Sequence, residues 1–308
     1  MRRARHVTLK ALVALLAVTG AITAVPSVAI AEERIAPDKD KDKAHGLPQQ
    51  VQVLRQQVQM LQQQVTALQK TLANVSATIG CFQLAPSGVD LIVNGCNLLI
   101  QSGAGATNAD VNGLGNLIIG YNEGSGTEAR TGSHNLVIGQ GHSYGSFGGL
   151  VAGQFNKVMA AGASVSGGTR NTALDPVTSI SGGSGNTARG IASSVSGGAD
   201  NTAGGIFAAS VSGGRSNLAS GDSSSVCGGN MNQALGFAST VSGGLQNRAA
   251  ELASVSGGTG NVASGDSSSV SGGSSNIAGS ENSSVSGGQG RRANGANSWA
   301  AGSLFEPF

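Results

Sequence analysis

Aromatic side chains make up only 3% of this 308-residue chain, and charged ones only 11%. A globular enzyme of that length buries many large side chains, and here there are few to bury. The 18 basic and 16 acidic residues leave a net charge of +2, without a basic face that would suggest nucleic acid. Only three cysteines occur, and the two outside the repeat, Cys81 and Cys96, give no four-ligand zinc set and have no nearby His to add to them, so no metal and no cofactor are implied. What the chain does have is 50 glycines, and a core, if one forms, must be made of stacked small residues.

The first residues read as an export signal. "MRRARHVTLK" supplies the basic start, and "ALVALLAVTGAITAVPSVAIA" runs apolar to the small-x-small site Ala29-Ile30-Ala31. This predicts a signal peptide over 1–31 and an exported protein that is extracellular, at the cell surface or in the periplasm. The rival reading is an uncleaved membrane anchor, which Gly20, Thr23, Pro26 and Ser27 argue against. Residues 32–46, "EERIAPDKDKDKAHG", have little to bury and read as a charged flexible linker.

Residues 47–79 change pattern. Val51, Val58, Val65, Leu72 and Ile79 recur every seven residues, with Leu54, Leu61, Leu68 and Val75 three positions after the first four. Such an a/d seam, with Gln-rich positions between, predicts a coiled-coil stalk that buries its narrow stripe against copies of itself. The competing reading is a helix packed on its own domain. Val at a and Leu at d lean toward dimers, and the seam by itself leaves two and three strands open.

Residues 80–110 form a junction that holds Cys81 and Cys96. Export places them where disulfides persist, and a bridge would fix the point where stalk becomes sheet. Two free thiols or interchain bridges are the alternatives.

A repeat then fills residues 111–298. The aliphatic markers of its "SVSGG" motif are Val165, Ile180, Val195, Val211, Val226, Val241, Val255, Val270 and Val285, spaced by 14 to 16 residues. Two glycines follow each marker. Six residues after the first eight stand Asn171, Asn186, Asn201, Asn217, Asn232, Asn247, Asn261 and Asn276, and eight residues after every marker stands an Ala. A period this short predicts an all-β parallel β-solenoid of about a dozen coils, with the markers in its core and the Asn column as a hydrogen-bonded ladder. Length changes fall after plus ten, so one corner tolerates insertion. The themes "NLIIGYNE", "NLVIGQGHSY" and "GLVAGQFN" extend the stack upstream, and residues 299–308, with Trp299, Phe305 and Phe308, read as a cap on the last strand.

These columns resemble the head repeat of trimeric autotransporter adhesins of the YadA type, written SVAIG-x-x-S-x-A-x-G, over roughly residues 111–301. The resemblance implies a left-handed parallel β-roll, assembly of three chains about a common axis with a coiled coil, and binding to host matrix or other cells. The repeats depart in being mostly 15 rather than 14 residues long. The stalk comes before the head, whereas those adhesins put the head first, and the C-terminal membrane barrel of that family is not expected here. The layout, including "TGSHNLVIGQGHSY" and "WAAGSLF", also looks like a group of uncharacterised exported bacterial repeat proteins.

Catalytic patterns are sparse. "GHSYG", residues 141–145, matches the G-x-S-x-G elbow with Ser143 as nucleophile and His134 or His142 as base, but Gly and Ser flank it where a buried strand and a helix are needed. "GGSGN", residues 182–186, is similar to a calcium-binding solenoid motif without its Asp, and Asp200, Asp222 and Asp266 read as corner residues. Cys227 replaces a Ser in "SVCGG". A non-enzyme is therefore expected, with no small-molecule substrate and no nucleic acid as partner.

The expected function is an adhesin-like, oligomeric binding protein, a homotrimer with the dimer left open, that offers Ser rows such as Ser194 and Ser196 to glycan, matrix or cell surface. The alternative is a structural spacer or self-assembling envelope component. A solenoid-borne hydrolase and an ice-binding hydroxyl lattice are remote. The export reading predicts that N-terminal sequencing of secreted material begins at Glu32, whereas an anchored chain begins at Met1.

Overall fold

A computed structural model describes residues 47–78, 80–124 and 126–302. The predicted signal peptide and linker, Ile79 of the seam, and Phe305 and Phe308 of the cap lie outside the described residues. The chain divides into two compact units, Met1–Cys96 and Asn97–Phe308.

In the first unit a single helix, α1, spans Leu47–Thr78. Pro48 lies in its first turn, where a missing N–H removes no helical bond. The heptad stripe is uncovered, with Leu61 and Leu68 59% and 67% exposed. A hairpin follows, β1 (Phe82–Leu84) against β2 (Leu91–Val93), antiparallel with Phe82 opposite Val93. Its turn closes through the Ala85 N–H to Asp90 O (2.8 Å) and a left-handed Gly88. Cys81 and Cys96 are joined just outside the hairpin as an intrachain disulfide, with their Cα atoms 6.0 Å apart.

The second unit is an all-β parallel solenoid of about a dozen coils. One sheet has 13 strands, each supplied by one coil, from β3 (Leu117–Ile119) to the last strand, Trp299–Ala300. We call it the valine sheet. A second sheet of 11 strands, the alanine sheet, runs from Ser143–Tyr144 to Arg292–Ala293. Upstream strands of the valine sheet have five residues, Leu136–Gln140 and Leu150–Gln154, and later ones only two. Registration is one-to-one: Ile180 lies beside Val165 and Val195, and Ala188 beside Ala173 and Ala203. Insertions leave this untouched. The 16-residue step still pairs Val195 with Val211 and the 14-residue step Val241 with Val255.

Alternation along each strand decides what is inside. The nine markers are at most 1% exposed, and the Ala column from Ala173 to Ala278 is fully buried. Upstream coils fill the interior with larger groups, Tyr144 and His142 among them. The exception is the first coil, where Ile118 remains 38% exposed because β3 is the edge strand of its sheet. At the other edge Trp299 pairs with Ser284 and leaves its indole 68% exposed, with Nε1 donating to Ser286 Oγ (2.7 Å).

Each coil bends through left-handed residues. The second glycine of each pair is one, as at Gly214 (φ 83°), where an added Cβ would press on the Gly229 carbonyl of the next coil. Two further bends use ordinary residues, for instance Asp200 (φ 57°) and Ala192 (φ 59°). Their N–H groups point back down the stack, Asp200 to Ser184 O (2.9 Å) and Ala192 to Pro176 O (3.1 Å), while most others point up it. That bond offsets the left-handed strain of a non-glycine residue.

The two glycines of a pair therefore differ. The first, Gly213, has no left-handed φ and open space around its Cα, and nothing in the stack explains its identity. Gly214→Ala is expected to lower stability by about 2 kcal/mol or more, and Gly213→Ala to change it by less than about 0.5 kcal/mol, read from urea unfolding midpoints.

Candidate functional site

The buried asparagines hold the coils in register. Asn217 Oδ1 accepts the backbone N–H of Asn232 (2.9 Å). Its Nδ2 donates to Gly213 O in its own coil (2.8 Å) and to Gly229 O in the next (3.0 Å). The same three bonds recur from Asn171 to Asn261, and all eight side chains are at most 1% exposed. The last full rung, Asn276, accepts from Arg291 N (2.8 Å), where arginine takes the column position.

The ladder reaches further upstream than the plus-six spacing indicates. Asn156 is fully buried and accepts from Asn171 N (2.7 Å), although it stands five residues after Val151. Below it His142 Nδ1 accepts from Asn156 N (3.2 Å). A second column, Asn116 and Asn135, bridges the first coils: Asn135 N donates to Asn116 Oδ1 (2.9 Å) and Gly149 N to Asn135 Oδ1 (2.8 Å). The signal for these residues was the Asn before each upstream aliphatic run, "NLIIG" and "NLVIG", which lies outside the downstream repeat frame.

Because the marker points in, its two strand neighbours point out. From Ser164 to Ser284 every residue before a marker is Ser or Thr, and from Ser166 to Ser286 every residue after one is Ser, except Cys227. The second of these rows is exposed throughout, Cys227 included. Neighbours lie in register, Ser179 beside Ser194 and Ser210 beside Ser225, at the roughly 4.8 Å spacing of paired strands. Among the described residues only the Ser269 hydroxyl donates along the row, to Ser284 Oγ (3.0 Å). The result is an uncharged face two hydroxyls wide.

The other surfaces vary from coil to coil. The outward row of the alanine sheet changes from Thr202 through Leu218 and Gln233 to Arg248. The insertion corner exposes Ile191, Ile206, Phe207 and Phe237 in mid-stack, and Glu251, Asp266 and Glu281 further on. Asp222 Oδ1 accepts the Ile206 N–H there (2.5 Å), which ties down the extra residue.

The motifs with possible chemistry fall into structural positions. Ser143 is 6% exposed in a two-residue strand of the alanine sheet, with its N–H on Asn156 O (3.0 Å), and no helix follows it. His142 is wholly buried in the ladder. His134 lies apart, where Nε2 accepts from Ser102 N (3.1 Å) beside a hollow of about 330 Å3 lined by Gln101, Ser102 and Thr107. Within residues 182–186 the Gly183 carbonyl accepts from Asn171 and the Asn186 carboxamide binds Gly182 and Gly198, so these groups belong to the ladder. Among the described residues no three His, Cys, Asp or Glu side chains converge.

Comparison with models of known protein families and with curated protein sequences finds no match to this chain. The fold itself is a parallel β-solenoid, of the broad class that includes YadA-type heads.

The ladder makes a direct prediction. Asn217→Ala strands the Asn232 N–H and the Gly213 carbonyl inside the stack, and should cost on the order of 2–4 kcal/mol. Hydrogen exchange should show lost protection centred on the coils of Val211 and Val226, with the coil of Val137 unchanged.

Proposed function

We propose that this chain is an exported, adhesin-like repeat protein that presents its hydroxyl face for multivalent contact with glycan, matrix or a cell surface. The observation that carries the reading is the contrast between faces. The outer side of the valine sheet keeps Ser or Thr through nine successive coils with the single exception of Cys227, while the alanine sheet and the insertion corner vary freely. A core explains the inward valines, but these outward positions carry no packing demand of that kind. A repeated hydroxyl pair is suited to many weak, identical polar contacts, such as sugar hydroxyls accept and donate.

The chain acts as a homotrimer in this reading, joined through the α1 stripe of Leu54, Leu61 and Leu68. A coil with one valine, one alanine and one small residue inside buries little apolar area, and sharing surface between chains adds to it. The number three comes from the resemblance to YadA-type heads. The surface role is non-enzymatic, and the three-chain arrangement multiplies each weak contact. A non-binding spacer built on the same stack is the competing role.

The test uses the mature chain on glycan and matrix arrays. Removing one, two or three whole coils should weaken binding stepwise, and Leu61→Lys with Leu68→Lys should dissociate the trimer and reduce apparent affinity by about tenfold or more as avidity is lost. A folded monomer by light scattering, with binding indifferent to coil number, would leave the spacer.

A further inference from the structure

Every rung of the ladder from Asn156 onward to Asn276 is a carboxamide, and the rung beneath them is an imidazole. The backbone N–H of Asn156 has a fixed proton and donates to His142 Nδ1 (3.2 Å), so Nδ1 carries none. The ring proton is therefore on Nε2, which donates to Ile138 O (3.0 Å). This copies the asparagine pattern, a donor to the carbonyl four residues back and an acceptor for the next rung: Asn156 Nδ2 reaches Ala152 O in the same way (2.6 Å). His142 is 0% exposed, so within the folded coil the ring has these two backbone partners and no water beside it.

An imidazole differs from a carboxamide in one respect, which is that it takes up a proton near neutral pH. We propose that His142 is an acid-sensitive latch on the N-terminal end of the solenoid: protonation at Nδ1 sets a donor against the Asn156 N–H and releases the coil of Val137 from the coil of Val151. The charged side chain that faces it is Arg130, whose Nε donates to His142 O (3.2 Å) while its Nη atoms bind Asn122 O (2.6 Å) and Glu123 O (2.8 Å). Glu128 lies on the same loop and accepts the Gly126 N–H (2.9 Å). From the alanine sheet come Tyr144, whose Oη accepts from Asn122 Nδ2 (3.1 Å), and Lys157, which follows Asn156 and is exposed. A proton on Nδ1 would face the Asn156 N–H, donor against donor, in a space closed to water, and opening relieves it. The other described histidine, His134, binds Ser102 N–H and holds a separate segment, lined by uncharged residues.

The experiment is hydrogen exchange by mass spectrometry on the mature chain at pH 7.5 and 5.5, with rates corrected for intrinsic exchange, a window in which carboxylates stay ionised. Amides of residues 135–158 should lose protection about tenfold at pH 5.5 relative to residues 225–290, which contain no histidine. His142→Asn should keep the rung and remove the pH effect, while His134→Gln should leave it in place. Equal protection of 135–158 at both pH values, or the same acid loss in His142→Asn, would overturn the latch. Should His142→Asn fail to fold by circular dichroism, the 15N shifts of the wild-type imidazole decide the matter. The latch requires the neutral Nε2–H form for as long as residues 135–158 stay protected, and a protonated ring in a protected segment overturns it.

Discussion

Each asparagine of the main column, from Asn171 to Asn276, binds three backbone groups in two coils, and the register of every other column follows from that joint. Asn201 Nδ2 holds Gly197 O and Gly214 O, and its Oδ1 holds Asn217 N. Once these distances are set, adjacent coils can neither slide nor separate. Val195 must then lie beside Val211 and Ala203 beside Ala219. The bond also dictates composition, because the carbonyl of the second glycine comes so close to the coil before it that a Cβ there has no room. A rung is costly to omit, since a buried amide without a partner loses more than one hydrogen bond contributes.

A stack fixed at one column can be permissive elsewhere. At the insertion corner a 16-residue coil places Ile206 and Phe207 outward and a 14-residue coil omits a residue, and neither disturbs the paired strands. The bends accept side chains as different as Asp200, Met231 and Gln246 in left-handed geometry because each such N–H finds a carbonyl one coil back. Apart from Cys227, the hydroxyl rows are uniform where the fold would tolerate other small polar residues. This is the difference on which the functional reading stands.

The ends of the column are chemically unlike its middle. Arg291 takes the position after the last asparagine, with its Nε buried and unpartnered, and His142 takes the position before the first. Both replace a neutral carboxamide with an ionisable group at a place where one neighbouring coil differs in kind. Stability in such a quasi-one-dimensional stack is a sum of neighbour interfaces, so the terminal joints open first.

The marker, asparagine and alanine columns were legible in the sequence because a solenoid coil is a local unit, and its period appears directly as residue spacing. The sequence by itself determined the coil, the inward and outward residues of each short strand, and the heptad stripe of α1. The upstream ladder was not legible in the same frame. Asn156 stands at plus five, and Asn116 and Asn135 precede their aliphatic runs, so only the stacking of coils shows that they bond to neighbouring turns. His142 and Ser143 had the spacing of a nucleophile elbow, and the tertiary structure made one a ladder rung and the other a buried strand residue. Likewise Ile118 had the pattern of an inner residue yet stays partly exposed, since its coil is the first in the sheet. Tertiary structure decided these cases for one physical reason: burial and hydrogen-bond partners at a coil depend on what the next coil brings to it, which spacing along one chain does not encode.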